Sequence, residues 1–119
     1  MKVIIDLIED IRSAIDDEGF TLSVMGLQED ENAQFNPMWQ NDVCSFSIDK
    51  QENKLFLFLG KTQAINVRDF LKDMNALENK LMMCEANISY SKDTKRIDAP
   101  IIGFGESIKD KKYLLFIEA

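Results

Sequence analysis

Residues 44–59, CSFSIDKQENKLFLFL, contain the clearest fold signal in the 119-residue sequence. Cys44, Phe46 and Ile48 alternate with polar residues, which is the period of a half-buried β-strand. The polar segment 50–53 is typical of a turn. Residues 55–59 are apolar at every position and predict a central strand that is buried on both faces. The sequence therefore predicts an antiparallel hairpin in the middle of the chain.

One amphipathic helix is predicted before this hairpin and one after it. Apolar residues recur at helical spacing over 4–15 and again over 67–81. Gly19 follows the first helix, where a left-handed C-cap is common. Asn66 is the predicted N-cap of the second helix, with Asp69 at the capping-box position.

Further strands are predicted over 20–25, 86–91, 97–104 and 113–117. Pro100 favours an edge position or a bulge, because proline cannot donate to a strand ladder. We expect one α+β domain over residues 1–119, with element order α-β-β-β-α-β-β-β. Its sheet should be mainly antiparallel, with about six strands and both helices on one face. The other face would need a loop or a second copy of the chain to cover it, so a homodimer is an open alternative.

Composition and cysteine usage indicate an ordinary intracellular domain. Hydrophobic residues make up 45% of the chain and charged residues 29%, as in globular proteins. Cys44 and Cys84 have no metal-binding spacing and are interpreted as free thiols in a reducing compartment. No apolar run approaches the ~18 residues of a membrane span, and the N-terminus does not resemble a signal peptide. We therefore expect a cytoplasmic protein that does not bind membranes.

Several catalytic chemistries are missing from the sequence. The chain contains no histidine, which removes histidine-based catalysis and most zinc and iron sites. Neither of the common nucleotide-phosphate loops is present. We expect no cofactor, no metal and no enzymatic activity, with carboxylate or cysteine chemistry as the remaining enzymatic alternative.

Negative charge is concentrated in the first half of the chain. The net charge is −7. Residues 1–60 hold four basic and twelve acidic residues (−8), and residues 61–119 hold ten basic and nine acidic ones (+1). An acidic surface repels nucleic-acid phosphates and attracts basic proteins. We therefore expect a protein partner with a basic surface and no direct nucleic-acid binding; solubility alone is the alternative explanation.

Residues 28–42 are predicted as a long acidic loop, and such loops are often functional. Aromatic residues and methionine are enriched at interface hot spots. The candidate partner-binding residues of this loop are Glu29, Asp30, Glu31, Phe35, Met38, Trp39 and Asp42. Asp16 and Asp17 are added to this set, because acids at a helix C-terminus are unfavourable and sometimes mark functional surface. The alternative is that Trp39 and Phe35 fold back onto the sheet.

These features together predict a small, acidic, non-catalytic interaction protein of the inhibitor, immunity or adaptor type, which binds a basic partner protein. The first alternative is a structural or assembly component that associates with itself. The second alternative is a carboxylate-dependent enzyme.

Overall fold

A computed structural model of the chain describes residues 1–14 and 19–119. The helices in this part are α1 (Ile4–Ala14) and α2 (Val67–Asn75), followed by a 3₁₀ turn at Asn79–Leu81. The strands are β1 (Thr21–Glu29), β2 (Phe35–Asp49), β3 (Lys54–Leu59), β4 (Glu85–Lys92), β5 (Lys95–Pro100), β6 (Gly103–Ser107) and β7 (Lys112–Glu118). Neither described helix is long and apolar enough to cross a membrane.

The strands form one mixed sheet in the order β5-β4-β3-β2-β1-β7-β6. β1 and β7 run parallel, as do β3 and β4, whereas the other neighbours are antiparallel. The prediction of a mainly antiparallel sheet of about six strands is wrong on both points. The parallel pair β3–β4 arises because residues 60–84, which include α2, form the long crossover that parallel neighbours need. The seventh strand arises because the segment 97–104 contributes to two strands.

The sheet is curled so strongly that its two edges approach each other. Edge strands β5 and β6 are consecutive in the chain and are separated only by Ile101 and Ile102. A flat sheet of seven strands would hold its edges about 29 Å apart, at about 4.8 Å per step. The three Cα steps from Pro100 to Gly103 span at most about 11 Å. The Ile102 N–H also donates to the Phe116 carbonyl (2.8 Å), which ties the connection to β7.

One face of the curled sheet and both helices share an apolar core. Because successive strand residues point to opposite faces, alternate positions of each strand enter this core. The helices contribute Ile4, Leu7, Ile8, Ile11, Val67, Phe70 and Met74, and the strands contribute among others Leu22, Val24, Leu55, Leu57, Ile88, Tyr113 and Leu115. The intervening strand residues form the opposite side of the sheet, which we call the outer face.

The segment before α2 ties the start of the helix to the sheet. The Ile65 N–H donates to Val43 O and the Ile65 carbonyl accepts from Leu22 N, each at 2.9 Å, so this residue bridges β1 and β2. The predicted N-cap Asn66 is confirmed, since its side chain accepts hydrogen bonds from the backbone of Arg68 (2.9 Å) and Asp69 (3.2 Å).

The hairpin between β4 and β5 turns on two residues with positive φ. Asp93 has φ 51° and Thr94 has φ 65°. Two central residues with positive φ match the type I′ turn, whose twist suits a two-residue hairpin. Threonine is unfavourable in this conformation, because a β-branched side chain crowds the backbone there.

We expect Thr94→Gly to stabilise the protein by about 1 kcal/mol, because glycine adopts a positive φ without strain. Urea unfolding followed by circular dichroism would measure the change. Thr62→Gly is the matched control, since Thr62 is exposed in a loop and is not among the positive-φ residues. The control should lose about 0.4–1 kcal/mol. Equal losses in both variants would contradict strain at Thr94.

Candidate functional site

The segment predicted as a long loop, 28–42, instead belongs to a β-hairpin. β1 continues to Glu29 and β2 begins at Phe35, and these two residues pair with each other. Every residue from 28 to 38 is exposed, so neither face of this part of the hairpin needs apolar side chains at every second position. The alternation that identifies a half-buried strand is therefore absent. We call residues 28–38 the arm.

Asp30 organises the turn at the tip of the arm. Its carboxylate accepts hydrogen bonds from the N–H groups of Asn32 (2.8 Å) and Gln34 (3.0 Å) and from the Asn36 side chain (3.0 Å). Hydrogen bonds from Gln34, Asn36 and Asn32, named in decreasing order of their effect, lower the Asp30 pKa because they favour the charged form. Asp30, one of the three predicted acids around the tip, therefore stabilises the turn through these hydrogen bonds.

The arm exposes apolar side chains next to acids. Phe35 is 48% exposed and Met38 is 56% exposed. Glu29 and Glu31 are exposed on either side of Asp30. Large apolar side chains and acidic side chains are therefore both exposed on one hydrogen-bonded hairpin.

Trp39 is separated from this exposed surface. It lies opposite Gly26 in the β1–β2 ladder and is only partly exposed. Its ring lies against the Gly26 backbone so closely that an added Cβ would be 2.7 Å from Cζ2 and 2.8 Å from Nε1. The ring also contacts Tyr90, with centroids 5.3 Å apart. Of the two residues considered for packing on the sheet, Trp39 packs and Phe35 remains about half exposed.

The remaining predicted acids do not join the arm. Asp42 lies on the outer face opposite Ser23 and accepts a hydrogen bond from Lys112 Nζ at 2.6 Å. Its carboxylate therefore connects β2 to β7 across β1. Asp16 and Asp17 lie outside the described residues.

A second surface feature arises because β3 ends before its neighbours. β3 stops at Leu59, which pairs with Val43 of β2, and the parallel pairing with β4 stops at Phe58 and Ser89. Beyond these points β2 and β4 flank a gap in the sheet, and the rings of Trp39 and Tyr90 meet across it. The gap is a cavity of about 500 Å³, which we call the notch.

The notch is lined from three directions. β2 contributes Trp39 and Asn41, β4 contributes residues 90–92, and the end of β3 contributes residues 59–61, with Ala119 at the rim. Gly60 allows close packing here, since an added Cβ would be 2.5 Å from Cys44 Sγ. The lining therefore combines two aromatic rings with two lysines, Lys61 and Lys92.

Only Trp39 of the predicted site residues lies in the notch. Tyr90, Lys61 and Lys92 were not predicted, because they are distant in sequence and meet only through the strand order. One sequence signal was available: Gly26 in the interior of a strand often marks a close approach of another group.

Within residues 1–14 and 19–119, no three cysteine or carboxylate side chains are grouped so that they could hold a metal ion. Tyr113 is fully buried, and burial, with smaller effects from Asp10 and Glu106, raises its pKa. The phenol therefore stays protonated above the ordinary tyrosine pKa of 10.0, and the ring stacks on Phe104 with the centroids 6.0 Å apart.

Comparison of the chain with protein-family models, with curated proteins and with solved structures gave no match.

We expect Gly26→Ala to destabilise the protein by about 1–3 kcal/mol, because the new methyl group would overlap the Trp39 ring. Thermal unfolding followed by circular dichroism would measure this loss. In a Trp39→Ala background the same change should cost much less, since the ring is gone. An equal cost in both backgrounds would show that Gly26 acts independently of Trp39.

The lowered Asp30 pKa predicts acid sensitivity at the tip of the arm. Because the folded-state pKa is depressed, the contribution of Asp30 to the turn is complete above its ordinary value of 3.8 and is lost as pH falls through the lower folded value. NMR should show the Asn32 and Gln34 amides titrating with an apparent pKa below 3.8. Asp30→Asn should abolish this titration. A midpoint above 3.8 would contradict the assigned hydrogen bonds.

Proposed function

We propose that this chain is a non-catalytic protein-binding protein whose arm binds a basic partner protein. The observation that carries the proposal is the exposure of Phe35 (48%) and Met38 (56%) on an element that is exposed throughout. Large apolar side chains of these types commonly supply the central contacts of protein interfaces. An apolar partner pocket could therefore bury both side chains of the arm.

The negative charge of the arm favours a partner whose pocket is surrounded by basic residues. Glu29, Asp30 and Glu31 lie at its tip, and the sequence contains no lysine or arginine between residues 13 and 49. Complementary charge across an interface accelerates association and disfavours wrong partners. The arm is thus suited to a partner surface in which basic residues surround an apolar pocket.

The hairpin structure supports recognition by a preformed element. β1 and β2 pair along the arm, and Asp30 fixes its turn. The pairing of β1 with β7 ends at Leu27 and Glu118, so beyond these residues no described strand lies beside the arm. Pre-organisation reduces the entropy lost on binding, and free strand edges can pair with a partner strand.

Self-association through the outer face is the second candidate function. Met25, Leu27 and Phe116 lie half-buried on this face and are not among the described residues that pack against the core. Other side chains on this face are nevertheless partnered within the chain. Arg96 lies 4.7 Å from the centroid of the Phe56 ring, and Asp42 pairs with Lys112. Sedimentation velocity of the purified chain distinguishes the two proposals, since only self-association requires a stable oligomer.

The arm can be tested with a photo-cross-linking amino acid at Gln28, expressed in the native source. We expect a discrete adduct, whose partner is then purified for affinity measurements. Phe35→Ala with Met38→Ala should weaken binding at least tenfold, about 1.4 kcal/mol, because hot-spot side chains are removed. Glu29→Gln with Glu31→Gln should slow association at low salt, while Asp30 remains to hold the turn.

Matched controls use residues elsewhere that are at least as exposed. Met83→Ala with Ile108→Ala removes apolar side chains that are 68% and 73% exposed, and Glu9→Gln with Glu52→Gln makes the same change in net charge. Ile108 also serves as the control position for the cross-linker. Adducts of equal yield at Gln28 and Ile108, or equal affinity losses in arm and control variants, would overturn the proposal.

A further inference from the structure

The charged side chains that line the notch are basic, although the chain as a whole is acidic. Its lining contains Lys61 and Lys92 and no carboxylate side chain, in a protein of net charge −7. The ion pairs formed by the described residues do not include either lysine. Unpaired cations that line one cavity attract an anion more strongly than scattered surface lysines do.

The apolar part of the notch consists of aromatic side chains in fixed positions. The Trp39 and Tyr90 rings lie 5.3 Å apart at an interplanar angle of 58°, with Leu59 beside them. Gly26 allows the Trp39 ring to lie on the strand, and Gly60 allows Cys44 to pack behind the lining. A preformed apolar site with a few polar groups is typical of small-molecule binding.

We propose that the notch binds a small anion that carries an aromatic ring. The ring lies against Trp39 and Tyr90, and the anionic group lies near Lys61 and Lys92. The volume of about 500 Å³ is within the range of about 300–1,000 Å³ that is usual for such ligands. Asn41 and Ser91 supply neutral hydrogen-bonding groups in the same lining. This proposal is independent of the arm and its partner.

Two fluorescent probes of nearly identical shape separate the contributions of charge and ring. Anilinonaphthalene sulfonate carries the anionic group, and N-phenylnaphthylamine is its neutral counterpart. Trp39 is the only tryptophan, so energy transfer from it reports binding of either probe. We expect the sulfonate to bind with one site per chain, more tightly than the neutral probe, and to weaken at high salt.

Lys61→Gln with Lys92→Gln should weaken sulfonate binding about tenfold and change binding of the neutral probe less than about twofold. Lys72→Gln with Lys109→Gln makes the same change in net charge away from the notch and should leave both affinities unchanged. Tyr90→Leu should weaken both probes, since it removes one ring and retains apolar volume. Circular dichroism would verify that each variant is folded.

Three results would overturn the proposal. The first is equal sulfonate affinity in the notch and control lysine variants, which would place the probe elsewhere. The second is a parallel loss of both probes in the notch lysine variant, which would mean that the lysines shape the cavity without attracting the anion. The third is unchanged binding of both probes in folded Tyr90→Leu, which would remove the aromatic contribution.

Discussion

The two-residue connection between opposite edges of the sheet is the constraint on which the rest of the structure depends. Because Ile101 and Ile102 must join β5 to β6, the sheet curls and its inner face meets both helices in one apolar core. Ile101 is itself part of that core. The long strand β2 changes neighbours along its length: it pairs with β1 over its first half and with β3 over its second half. The surface features come from the half of β2 that extends beyond β3.

β2 therefore contributes to two surfaces whose charged side chains have opposite sign. Its start forms one side of the acidic arm, and Trp39, one residue beyond the arm, lines the basic notch. The arm depends on β1–β2 pairing and on Asp30, whereas the notch depends on the early end of β3 and on residues of β4. The supporting contacts are largely separate, so changes to the outer arm should leave the notch intact. Gly26 and Trp39 are the exception, because their contact lies at the junction.

The sequence contains enough information to locate elements with one buried face. The helices over 4–15 and 67–81 and the strands around residues 44–59 have strong periodicity, and the structure places helices or strands in each region. The arm could not be recognised, since a two-stranded ribbon exposed on both sides has no apolar period. Strand order was also beyond reach: the β1–β7 pair joins residues about 90 positions apart, which local patterns do not encode. For the same reason, Trp39 could be selected as a candidate but its neighbours in the notch could not.

The parallel pairing of β1 with β7 has a consequence for biosynthesis. A nascent chain on the ribosome holds β1 long before residues 112–118 have been translated. Until then, the edge of β1 that pairs with β7 has no partner strand, and the apolar residues Leu22 and Val24 cannot be fully enclosed. Unpaired apolar edges promote aggregation, and long-range strand pairing slows folding. Completion of this fold therefore depends on β7, and a chain that lacks this strand leaves an apolar edge of β1 open to aggregation.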